Sequence, residues 1–286
     1  MSIEYLAGIQ PGAKIDLSRF GSRINKSEKV SKTPESYLPE LKSRLYDLSG
    51  RINAEYGDIL ADNGQIKMAG SDFDHDCALI AAKEQGFAAD CRKSVKEMAI
   101  DREKNPANIA EIAVTLLFDK VLRDDFIIMR ASVYDDYENS ADQLIIDKKT
   151  GAIICGFDEA ILGSFDKGDG SKKKLKIDNK MKRGGAEIKY GVALRDSGLE
   201  RAALKHIPIF YFNLDKADMK EILPSLADGS NNITPQEYMI YNQLVDSLSK
   251  QITRYGADTS LNQYLQSNLR AFAPSLDKMK GYNQAN

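Results

Sequence analysis

The stretch YENSADQLIIDKKTGAIICGFDEA, Tyr137 to Ala160, holds two apolar runs joined by the turn DKKTG. Each run carries carboxylates where a strand favours neutral residues: Asp142 opens the first, and Asp158-Glu159 lie near the end of the second. A type I turn closed by a left-handed Gly151 makes a hairpin loop with a bulge and pairs Asp147 with Gly151. Counting back, Asp142 faces Gly156, and Asp158 is its diagonal neighbour on the same side. A slip of one residue instead pairs Asp142 with Phe157 and sets it beside Glu159. Either register gathers a carboxylate pair on one face, where a divalent cation would neutralise the charge.

Working outward, further runs rich in Ile, Val, Phe and Tyr predict strands: FIIMRASVY (126–134), GAEIKYGVAL (185–194) and HIPIFYFNL (206–214), beside DQLIID (142–147) and AIICGFDEA (152–160). Before them, Asn105 and Pro106 suit the cap and first turn of a helix over NPANIAEIAVTLLFDKVL. Glu111 heads an otherwise apolar stripe of that helix, a costly place for a carboxylate without a partner. Leu38, Leu41, Leu45, Leu48 and Ile52 recur at helical spacing. Two shorter helices are expected at 72–85 and 88–101, broken at Gly86, and helix returns from about 216. The order is α+β: an N-terminal arm (1–35), a helical region (36–104), a mixed core (105–215) and a C-terminal helical region (216–286).

Composition narrows the chemistry. Of 286 residues, 42% are hydrophobic and the net charge is −2, so any nucleic-acid contact must come from a local basic patch. Residues 167–183 supply one, with eight Lys or Arg against Asp169 and Asp178. Only two histidines occur, His75 and His206, which excludes histidine-rich zinc sites. Carboxylates as the sole ligands suit Mg²⁺ or Mn²⁺. The three dispersed cysteines and the want of a long apolar run predict a cytoplasmic chain with no signal peptide or membrane span. The oligomeric state is left open.

The arrangement resembles the PD-(D/E)XK nuclease superfamily over roughly residues 105–215. That family runs helix, strand, strand, strand, helix, strand, with an acid on the first helix, an Asp opening the second strand and an acid-x-Lys pair in the third. Glu111, Asp142 and Asp158, with Glu159 as alternate, match the acids; Ala141 replaces the usual Pro. Ala160, or Ile161 if Glu159 is the acid, stands where the lysine belongs. The resemblance implies a nuclease-like sheet and metal-dependent phosphodiester hydrolysis in DNA or RNA. Glu111, Asp142 and Asp158 would hold the ion. Lys189, or Lys180 or Lys182, would replace the missing cation, and Lys180, Lys182 and Arg183 would grip backbone phosphates. The alternative is the same fold with a degraded site, serving to bind nucleic acid or protein.

Asp135, Asp136 and Glu138 in YDDYENS are expected in a solvated connecting loop, the alternative being a further ligand or a hold on metal-bound waters. A rival site lies in GSDFDHDCALIAA (70–82), where Asp72 and Asp74 look like the aspartate pair of HAD-type phosphatases and His75-Asp76 like the dyad of HD-type phosphohydrolases. A plain helix start explains the same residues.

Overall fold

The computed structural model describes residues 32–162 and 169–282, without the side chains of 159–162 and 169–172. The arm expected over 1–35 lies almost wholly outside these residues. The architecture is α+β. Helices α1 (Leu38–Tyr56), α2 (Phe73–Asp90), α3 (Val95–Lys104) and α4 (Pro106–Leu122) precede strand β1 (Phe126–Arg130), helix α5 (Val133–Asn139), and strands β2 (Gln143–Asp147) and β3 (Ile153–Leu162). Helix α6 (Asp169–Lys182), the hairpin β4 (Ala186–Arg195) and β5 (Gly198–Ile207), and strand β6 (Ile209–Asp215) follow. Helices α7 (Lys216–Asp228), α8 (Pro235–Gly256) and α9 (Gln263–Gly281) close the described chain.

The main sheet has the order β1-β2-β3-β6, antiparallel except where β3 and β6 run parallel. A parallel pair needs a crossover, and α6 with the β4–β5 hairpin fills it. α4 lies across the sheet. Asn105 caps it by accepting from the Ala107 amide, and Pro106 occupies its first turn. Phe118 at its centre stacks against Phe157 of β3 and Phe212 of β6, with Tyr241 of α8 edge-on. One apolar core runs from Leu38 to Met279. Among the described residues no helix is long and apolar enough to cross a membrane, and Cys77, Cys91 and Cys155 are free thiols.

The structure corrects several local expectations. The strand predicted over 126–134 stops at Arg130, because Ser132 accepts from the Asp135 amide and starts α5. The YDDYENS acids therefore ride on a helix, not a loop. α2 runs through Gly86, and the break comes at Cys91 and the left-handed Arg92 (φ 55°); a Ser94–Glu97 capping box then starts α3. β5 was not expected, since GLERAALKH is polar and alternates weakly with solvent. Gly151 does take the left-handed conformation (φ 70°), and a Cβ there would lie 2.2 Å from the Leu194 carbonyl oxygen. The register beyond it differs. Ile146 pairs with Ile153 but Ile145 with Cys155, so Ile154 bulges out, and Leu144 rather than Asp142 faces Gly156.

Candidate metal and nucleic-acid site

That bulge shifts Asp142 towards Asp158. Gln143 pairs with Phe157, and the Asp142 amide donates to the Phe157 carbonyl at 2.7 Å. Asp142 thus enters the sheet beside the residue that precedes Asp158. Both aspartates are buried, and Asp158 sits where β3 also pairs with Tyr211 of β6. The Glu159 side chain lies outside the described residues.

The cation beside Asp158 comes from α6. Lys173 Nζ donates to Asp158 Oδ1 at 2.8 Å. Its helix is anchored by Ile177 and Met181, both fully buried, and Lys173 and Lys180 share that inward face at spacings of four and three from Ile177. Lys180 bonds the Asn139 carbonyl at the end of α5. Burial pulls its pKa down to about 8, and the charge of Lys176 adds to this, while Asp158 and Asp135 oppose it. Lys182 and Arg183 are exposed at the end of α6.

Glu111 projects from α4 towards β1, where Arg130 donates to it at 2.9 Å and also bonds Asn108. Burial nevertheless holds the Glu111 carboxyl above its ordinary range; Arg130 opposes the shift, and the charge of Asp136 reinforces it. Asp136 of α5 behaves alike. Burial raises its carboxyl, Arg102 and Arg130 counter, and Asp158 adds repulsion. Gln143 ties the frame together by donating to the Glu111 carbonyl and the Thr115 hydroxyl, while its own buried Oε1 has no partner among the described residues. Asp135 is structural. It accepts from the Ser132 hydroxyl, Asn139 and the amides of Lys189 and Tyr190, clamping α5 to β4.

Lys189 is held elsewhere. Its ammonium pairs with Asp76 at 2.6 Å and Asp72 at 3.0 Å, and Tyr190 donates to the same Asp76. The β4 backbone directs Lys189 to the start of α2. There Asp72 is already paired, Asp74 and His75 are exposed, and no strand leads into the segment. His206 lies at the end of β5 with Nδ1 on the Gly184 carbonyl.

Sequence reasoning missed Lys173 and Arg130, and it set Asp136 in a loop. For Lys173 a signal existed: with Ile177 and Met181 taken as the apolar anchors of the basic run, helical periodicity turns Lys173 inward as well. Arg130 gave no such sign, because its partner Glu111 comes from α4, and nothing local shows that Asp136 meets Arg102 of α3.

Asp142 and Asp158 lie at one end of the β2–β3 pair, and burial keeps Glu111 and Asp136 raised despite the basic groups beside them. Among the described residues no three acids stand close enough together to hold an ion, and Arg130 and Lys173 lie against Glu111 and Asp158. Compared with family models, curated proteins and solved structures, the chain matches none.

Proposed function

We propose that the protein is a metal-dependent nuclease that hydrolyses phosphodiester bonds in nucleic acid. Asp142 and Asp158, with Glu111 of α4, would hold Mg²⁺ or Mn²⁺. The ion would supply Lewis-acid polarisation of a phosphoryl oxygen and an acidified water. Lys173 takes the part for which Lys189 was a candidate, orienting the attacking water or stabilising charge as it develops on the phosphate. Lys180, Lys182 and Arg183 grip the neighbouring backbone.

The observation that carries this reading is the Lys173 ammonium on Asp158, with Asp142 at the same end of the β2–β3 pair. A helix supplies the cation that the third strand lacks. The order α4, β1, β2, β3, α6, β6 supports it as well, with α5 and the β4–β5 hairpin as insertions. The free cysteines suit the reducing cytoplasm, where we place the protein.

The test is a Mg²⁺ or Mn²⁺ titration. Thermal stabilisation that disappears in Asp142→Ala and Asp158→Ala, together with cleavage of a plasmid or an oligonucleotide mixture, upholds the proposal. One observation favours a second reading, a binding module without turnover: Glu111, Asp136 and Asp158 each already have a basic partner. Nucleic-acid binding with neither metal-dependent stabilisation nor cleavage is its signature.

A further inference from the structure

A cleft of about 720 Å³ opens between the end of α5 and α6, lined among others by Ser140, Lys176, Asn179, Lys180 and Arg183. Three of these side chains are cationic. The two acids on its rim are engaged, Glu138 by Lys83 and, more loosely, Glu187 by Lys205. Among the described residues neither Lys176 nor Arg183 has a carboxylate within ion-pairing distance. Lys176 and Lys180 sit near enough to repel each other. Such like charges, without an acid between them, call for an anion.

A second observation is independent of the charges. Ser140 is only 4% exposed, and among the described residues its buried hydroxyl has no hydrogen-bond partner. An orphaned buried hydroxyl is costly, and most such groups in folded proteins are satisfied. Ser140 also holds a left-handed backbone (φ 52°) where α5 ends, so the chain turns sharply between the cleft and Asp142. Ser140 and Asp142 are two positions apart, with Ala141 between them, a span of about 7 Å at most.

From these features we infer that the cleft is a phosphate subsite, in which Ser140, Lys176, Lys180 and Arg183 hold the backbone phosphate next to the scissile one on the same nucleic-acid strand. The inference rests on the nuclease reading for what the strand is, though not for the binding itself. The hydroxyl donates one hydrogen bond. Lys180 spends one of its donors on the Asn139 carbonyl and keeps the others for the anion. Arg183 adds a planar fork suited to phosphate oxygens. Lys182, on the same helix, does not line the cleft and contacts the strand farther along.

The experiment measures thermal stabilisation by inorganic phosphate at constant ionic strength, set with chloride, in the absence of divalent metal. Phosphate should stabilise the wild type. Lys176→Gln and Arg183→Gln should each weaken its binding by about tenfold, the scale of one charged hydrogen bond. Ser140→Gly, which keeps the left-handed backbone and removes only the hydroxyl, should weaken it by about fivefold. Lys174→Gln, exposed on the same helix outside the cleft, should bind phosphate as the wild type does. Phosphate affinity unchanged from wild type in Ser140→Gly and Arg183→Gln, or a loss in Lys174→Gln as large as in Lys176→Gln, overturns the subsite. Ser140→Gly settles the matter if a charge variant misfolds. A short oligonucleotide bound to Asp158→Asn in EDTA gives the matching readout on nucleic acid, with the same variants weakened in the same order. Cleavage without phosphate discrimination would sink the subsite alone, and phosphate discrimination without metal-dependent cleavage would sink the nuclease reading alone.

Discussion

Asp158 with Lys173 and Asp76 with Lys189 are the same chemical pair at nearly the same distance, 2.8 Å and 2.6 Å. Their surroundings differ. Burial pushes Asp76 up, but hydrogen bonds from Lys189 and Tyr190 outweigh it, and its carboxyl lies below the ordinary range. Asp72 is lowered by the same lysine, and Lys189 is raised above a normal ammonium by its two acids. Each charge there is met, which is how a latch between α2 and β4 is built. Around Asp158, by contrast, Glu111 and Asp136 stay raised even with Arg130 and Arg102 against them. Burial, rather than a want of basic partners, sets these acids apart from the latch.

The largest effect should separate the two clusters outright. Asp158→Asn should cut metal-dependent cleavage by about a thousandfold, the several kcal/mol that an ion gives to the transition state. Asp72→Asn should leave the rate within about threefold of wild type, because it touches only the latch. Cleavage of a labelled oligonucleotide under single-turnover conditions reads both. The reverse ranking would move the chemistry to α2 and return the phosphatase reading to favour.

How far the sequence disclosed these clusters follows from what each depends on. Asp142 and Asp158 are tied by a hairpin, so alternation and turn chemistry bring them together locally, although the bulge at Ile154 is silent in the pattern. Glu111 betrayed itself as a charge at the head of an apolar stripe. Lys189 sits in a strand beside Tyr190, and nothing local says that β4 delivers it to α2. That delivery depends on Asp135 clamping the Lys189 and Tyr190 amides, a contact spanning more than fifty residues. Short-range periodicity tells which face a side chain takes and not what meets it there.

The two lysines sharpen the contrast. Lys173→Ala should lower cleavage by about a hundredfold, near the value of one preorganised charge at a developing oxyanion, with little change in KM. Lys189→Ala should leave kcat close to wild type and act on stability. Should Lys189→Ala match Lys173→Ala in kcat, the assignment of the cation to α6 fails.

On the latch side, Tyr190→Phe removes the hydroxyl that donates to Asp76 and leaves a buried acceptor short of one partner. A Tm lower by about 2–4 °C is expected, corresponding to about 1 kcal/mol in a chain of this length. The metal-induced rise in Tm should be unaltered.

The smallest effect is a difference in pH dependence. Asp72 and Asp76 have folded pKa values below their unfolded ones, so their stabilisation is present above about pH 4 and is lost as the pH falls through the lowered values. Glu111 and Asp136 are shifted the other way, and the folded state holds their protons longer. Their contribution is greatest below about pH 4 and declines as the pH rises through the raised folded values. Urea denaturation across an acid-to-neutral series should therefore show two opposed limbs. Asp76→Asn should flatten the acid limb, and Glu111→Gln should flatten the decline above it. Added Mg²⁺ should act like Glu111→Gln on the second limb, since an ion favours the ionised carboxylates whose charge otherwise destabilises the site. If Mg²⁺ altered only the acid limb, the cation would belong to Asp72 and Asp76, and the distinction between latch and site would be reversed.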